Sequence, residues 1–234
     1  MATKSRLLRL VKNAVRETDW SAQKWRHPDM TKILVPFRMM LHPVSACSEI
    51  KYEGRGSLAL ANLLALLYLL CGVLRNVAYG FVYNQGQQES FNLWPVFVQT
   101  IGILLMWLLS SWSLSTLMSG EGKLGEIWIT TCYAMLPTIL LTLPTVALTN
   151  VFVAEEAAII ALLETLMAGW SIFLLVFATL VVQQYTLKKT LLMMLLTVIG
   201  IVCIVVLIIL FFSLFQQLYI FLDTVFREVL TRMP

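Results

Sequence analysis

The chain has 234 residues, 59% of them apolar and only 13% charged, and its mean hydropathy is +0.81. A water-soluble domain of this size could not bury so much apolar surface, so the composition excludes one and points to a membrane protein. The formal charge is only +4, so the placement of the basic residues carries more information than their sum.

Residues 4–18, KSRLLRLVKNAVRET, have helical periodicity. Leu7, Leu8, Val11, Ala14 and Val15 fall on one side, and Arg9, Lys12 and Arg16 on another. A helix with such faces lies on an anionic membrane surface, docks on a partner, or packs as a solvated helix on its own domain. Trp20 and Trp25 suit the headgroup layer. The first twenty residues lack the continuous apolar core and small-residue cleavage site of a signal peptide. Pro43 is placed to open a short helix running to Lys51, with Gly54 as its stop and Ser57 as the N-cap of the next helix. His27 and His42 are the only histidines and have no third ligand nearby, which fits surface or helix-end roles better than metal binding.

Five apolar runs follow, each long enough for the ~30 Å hydrocarbon core. They cover residues 58–82, 94–118, 127–151, 157–182 and 191–212. The first carries Arg75 and Asn76, and the fourth carries Glu164. Counted along the helices, Arg75 and Glu164 reach similar depth, so either they pair or Arg75 snorkels beside Tyr79 and Tyr83 while Glu164 is protonated. In the second run Ser111, Ser115 and Ser119 recur every four residues, a stripe that permits close helix contact. The third run follows a Gly-rich turn and contains Pro137 and Pro144, seven residues apart and so nearly on one face. Each proline kinks the helix and frees a carbonyl, on Tyr133 and on Leu140. The hydroxyls of Thr138, Thr142 and Thr145 are at hand to take up those carbonyls. A twice-kinked helix belongs inside a bundle. The fifth run has almost no polar atoms and reads as the most lipid-exposed.

Residues 214–233 form a further amphipathic helix, with Leu214, Leu218, Leu222, Val225, Val229 and Met233 on one face. It either extends the fifth run or lies along the surface, where Leu218, Leu222, Val225 and Val229 are the candidates for partner contact. Residues 1–56 hold eleven Lys and Arg, the second and fourth loops hold Lys123, Lys188 and Lys189, and the first and third loops hold none. Basic residues stay cytoplasmic, so the N-terminus reads as inside and the C-terminus as outside the cell membrane. The expected fold is all-α: a five-helix membrane bundle (57–213) between an amphipathic cytoplasmic segment (1–56) and a C-terminal amphipathic helix (214–234).

Chemistry is scarce. SGEGKLG lacks the phosphate-loop spacing. Glu155 and Glu156 resemble the start of an intramembrane protease motif, but Ile160 stands where its Arg is required. Both histidines precede the spans, so no Ser–His mechanism assembles within them. Cys47, Cys71, Cys132 and Cys203 form no CxxC. Nothing points to an enzyme, a cofactor, a metal, a nucleic acid or a small-molecule substrate.

The segment LHPVSACSEIKYEGRGS, the five runs and SWSLSTLMSGEGKLGEIWITTCYAMLPTIL resemble the Yip family of five-span membrane proteins, whose founders interact with Ypt/Rab GTPases. The small-residue end of the second run, the Gly-rich turn, and Tyr133, Ala134 and Pro137 carry most of the resemblance, which covers residues 30–215. The short basic N-terminus looks like the bacterial branch, whose members are often encoded beside carbohydrate ABC importers. The resemblance implies a non-enzymatic accessory subunit in contact with membrane lipids and with a multi-subunit transporter. The rival from another class is a self-contained channel or transporter.

Overall fold

The computed structural model describes residues 33–80 and 92–232. The basic helix at 4–18 with Arg9, Lys12 and Arg16, the tryptophans Trp20 and Trp25, His27 and the first loop lie outside the described residues. So do Met233 and the side chain of Val229.

Two short helices start the described chain, α1 (Val35–Leu41) and α2 (Pro43–Tyr52). His42 separates them in a non-helical conformation, as the residue before a proline tends to be, and Pro43 opens α2. Gly54, at φ 62°, ends the segment in the left-handed region. Its neighbour Arg55 then donates its N–H back to the Glu49 carbonyl. Ser57 caps α3 (Leu58–Ala78), its hydroxyl accepting the Leu60 N–H at 3.4 Å.

The second span, Leu93–Leu117, is not a uniform α-helix. A first turn, α4 (Leu93–Phe97), passes into a π-helical turn at Val98–Gly102 and then into α5 (Ile103–Leu117). The third span divides at Met135 into α6 (Leu124–Ala134) and α7 (Leu136–Thr149). After a 3₁₀ turn at Ala154–Glu156 come α8 (Ala157–Gln183) and α9 (Leu187–Arg232). No strand occurs among the described residues. Five of the helical stretches are long and apolar enough to cross a membrane.

The α6–α7 helix is the centre. Of its apolar window 56% is buried, against 17% for α3 and 6% for α9. Ile129, Cys132, Tyr133, Ala134, Leu136 and Ile139 meet α3 through Ala61, Leu64 and Ala65, and meet α8 through Leu174 and Ala178. Helices α1 and α2 lie across one end of the bundle, with Val35, Met39, Ala46, Cys47 and Ile50 in the same core. We call this the near end, and the opposite one the far end.

Two expectations need correction, and one alternative is resolved. The threonine hydroxyls do not take up the carbonyls freed by proline. Thr142 donates to the Thr138 carbonyl at 2.6 Å and Thr145 to the Leu141 carbonyl at 2.7 Å, while Thr138 pairs with the Ser171 hydroxyl on α8. A hydroxyl reaches its own fourth-preceding carbonyl most readily, whatever a proline does next door. Pro144 lies inside α7, which runs on through it, while the helix divides at Met135, two residues before Pro137.

The second correction concerns the serines. Ser119 leaves the helix with φ 54° and is exposed. Ser111 and Ser115 are buried as expected, and Ser110 makes a further close contact, its hydroxyl donating to the Thr197 carbonyl of α9 at 2.8 Å beside Gly200. Third, of the two readings of 214–233 the helix takes the extension: α9 continues from the fifth span to Arg232 without a break. The sequence there loses apolarity on one face but contains no Pro or Gly to stop a helix.

Gly80 follows α3 and abuts the end of α7. A Cβ there would lie 2.1 Å from the Thr149 backbone oxygen, whereas one on Gly169 would meet nothing within 4 Å. Gly80→Ala therefore should cost about 1–3 kcal/mol through overpacking, and Gly169→Ala should be neutral or slightly stabilising. Thermal unfolding in detergent checks both, and an unchanged midpoint for Gly80→Ala contradicts the packing.

Candidate functional site

Polar groups gather at two places in this bundle, one at each end. At the near end Lys51 leaves α2 and enters the protein. Its Nζ donates to the Glu121 carbonyl at 2.7 Å and the Val182 carbonyl at 2.8 Å, and lies 3.7 Å from Glu126. Side-chain exposure is 10% for Lys51 and 4% for Glu126, so this is a buried ion pair. Glu126 also accepts the Lys123 N–H and so caps α6. Gly122 donates to Gln183 at the end of α8, and Lys189 donates to the Met118 carbonyl. The Gly-rich turn is thus tied to α2, α8 and α9 at once. Glu49, nearby on α2, pairs with Arg38 at 2.7 Å and Arg55 at 3.5 Å. Cys47 packs beneath, and burial pushes its thiol up to about 12, which keeps it protonated and inert.

At the far end the Arg75 guanidinium contacts the Glu164 carboxylate. The Tyr79 hydroxyl donates to the same carboxylate oxygen at 2.6 Å, and the guanidinium lies 5.8 Å from the Tyr79 ring centre. The structure therefore brings Arg75 to both its candidate neighbours, the carboxylate and the tyrosine. Below this cluster a cleft of about 310 Å³ runs between α3, α5, α7 and α8. A second space of about 280 Å³ adjoins it, sharing Tyr68, Arg75, Thr100 and Thr138. Thr100 belongs to the π turn, a feature that often marks functional sites. Toward the near end a separate small space of about 10 Å³ shares Trp107, Thr131 and Leu175 with the cleft, barely the ~10–15 Å³ that one water occupies.

Sequence reasoning named Arg75 and Glu164 but missed Lys51, Glu126 and the cleft. A Glu three residues past a Gly-rich turn was a helix-start signal, yet nothing local linked it to Lys51. Of the partner-contact candidates, Leu218, Leu222 and Val225 lie exposed on α9. Among the described residues no group of three or more His, Cys, Asp or Glu side chains could hold a metal ion.

Removing one member of the buried near-end pair strands the other, at ~3–5 kcal/mol. Lys51→Met should lower the unfolding midpoint sharply, and the Lys51→Met, Glu126→Gln double variant should recover much of the loss. At the far end, Arg75→Leu and Glu164→Leu should couple by about 1–3 kcal/mol in a double-mutant cycle. Additive singles would show that the contact contributes nothing.

Comparison with known proteins gives one family assignment. No curated protein and no solved structure matches the chain. The Yip1 domain model matches residues 37–210, which takes in α2 to α8, the first half of α9 and most of α1. The family is not known for enzymatic activity. On that match, the chain belongs to the Yip1 family of membrane proteins.

Proposed function

We propose that this protein is a non-enzymatic subunit that packs against another membrane complex and stabilises or regulates it. Helix α9 supports this reading. At ~1.5 Å per residue its 46 residues extend ~69 Å, over twice the ~30 Å hydrocarbon core. Only its first part packs on α5, through Thr197 and Gly200. Beyond that, Leu207, Phe211, Leu214, Leu218 and Leu222 are all exposed. Lipid covers such a surface inside the bilayer; past it, another apolar surface must. The partner class that the resemblance names is a carbohydrate ABC importer. By the distribution of basic residues, the near end faces the cytoplasm.

A self-contained transporter remains the second reading, favoured by the broken α6–α7 helix and the polar cleft beside it. The space beyond Trp107, Thr131 and Leu175 is only about 10 Å³, too small for a solute, and speaks against this second reading.

Replacing Leu218, Leu222, Val225 and Val229 with Ser should release the protein from its complex during mild detergent purification, while insertion stays intact. Retention of the quadruple variant, or solute flux by the pure wild type in liposomes, would sink the subunit reading and install the transporter reading.

A further inference from the structure

We infer that the far-end cleft is a binding site for a zwitterionic phospholipid whose headgroup carries a hydrogen-bonding ammonium. The inference is independent of which complex α9 joins. It starts from the mouth of the cleft. Ile103 of α5 and Ile172 of α8 both line the space, and both are more than half exposed. Ala168, one turn before Ile172, is exposed as well. The cleft therefore opens sideways between the second and fourth spans, toward lipid, and its ligand arrives from the bilayer. Its volume lies at the lower end of the ~300–1,000 Å³ usual for ligand sites. Its walls combine apolar side chains with a few polar groups, among them Ser171, Thr138 and Tyr68. That suits a molecule with an apolar body and a polar tip.

Depth sets where the tip lies. Arg75 is three residues from the end of α3, ~4.5 Å along the axis, and Glu164 is seven residues into α8, ~10 Å. This is the level at which headgroups give way to acyl chains in a bilayer whose core these helices just span. A smaller space of about 230 Å³ bordered by Arg75, Asn76, Tyr79 and Glu164 continues from the cleft at this level. A headgroup placed there would have its chain in the cleft below.

Charge then selects the headgroup. The Arg75–Glu164 pair is neutral overall. An anionic lipid on Arg75 would leave one uncompensated negative charge in a poorly solvated place. A zwitterion keeps the sum at zero and gives each side chain a counter-charge, phosphate to the guanidinium and ammonium to the carboxylate. Arg75 and Tyr79 both donate to Oε1 of Glu164. A carboxylate accepts about four hydrogen bonds, so the group has capacity for an N–H donor. A quaternary ammonium has no N–H and cannot use that capacity.

The test is retention of lipid by the full chain in native mass spectrometry. Phosphatidylethanolamine, phosphatidylcholine and phosphatidylglycerol with identical acyl chains serve as probes. The wild type should retain phosphatidylethanolamine roughly tenfold better than either rival, the scale of one charge-assisted hydrogen bond. Glu164→Gln should abolish its advantage over phosphatidylcholine. Ala168→Trp, at an exposed position where the fold tolerates bulk, should close the mouth and lower retention of all three. Circular dichroism confirms that both variants remain helical. Equal retention of the three lipids by the wild type, a preference for phosphatidylglycerol, an undiminished preference in Glu164→Gln, or undiminished retention in Ala168→Trp overturns the inference.

Discussion

A lysine ammonium inside a protein must be surrounded by oxygen or the fold does not form. Lys51 meets that demand with two carbonyls and one carboxylate, drawn from the Gly-rich turn, the end of α8 and the start of α6. Residues 121–126 and the end of α8, far apart in sequence, therefore meet α2 at one point. Desolvating both charges is expensive, and the Coulomb gain in a low dielectric only roughly offsets it. The pair's value is therefore positional. It holds α2 against the ends of α6 and α8, and so fixes how the short near-end helices sit on the membrane bundle. The second tie is Tyr133, fully buried beside the break in the central helix, with its hydroxyl 3.2 Å from the Ser57 N–H. It links the cap of α3 to the axis of the molecule.

The central span takes the opposite role at its other end. Its break before Pro137 falls at Met135 and close to Thr138, two of the residues lining the far-end cleft. The π turn of the second span lines the same cleft through Thr100, so two helical irregularities border it. The apolar core lies nearer the other end, where α1 and α2 add to it. The bundle is thus tight at one end and split at the other.

Features set by local rules were readable from residues alone. Pro43, Gly54 and Ser57 act on their immediate neighbours, and the five apolar stretches follow from hydrocarbon thickness. Arg75 and Glu164 were legible as neighbours because residue counting gives depth, and depth restricts which charges can meet. Lys51 and Glu126 were not, because a lysine in the last turn of a short helix reads as a solvated surface charge and the link spans 75 residues. The π turn left no mark, since VQTIG contains nothing that forbids an ordinary α-helix. The continuity of α9 stayed open in the sequence because a change of surface character at residue 214 resembles a boundary. Helix geometry depends on backbone-compatible residues, and composition on one face does not interrupt it.

Helix α9 is fastened at its base and projects from there. The Ser110–Thr197 bond and the Gly200 contact act as the clamp, and the run from there to Arg232 is an arm of ~48 Å. Rocking that arm by about 5° about its clamp displaces the tip by about 4 Å. The clamp grips α5 at Ser110, ~12 Å along the same span from the π turn, whose Thr100 borders the cleft. A force applied at the tip, well outside the bilayer core, is therefore delivered to the least regular helix of the bundle, next to the one place where its spans stand apart.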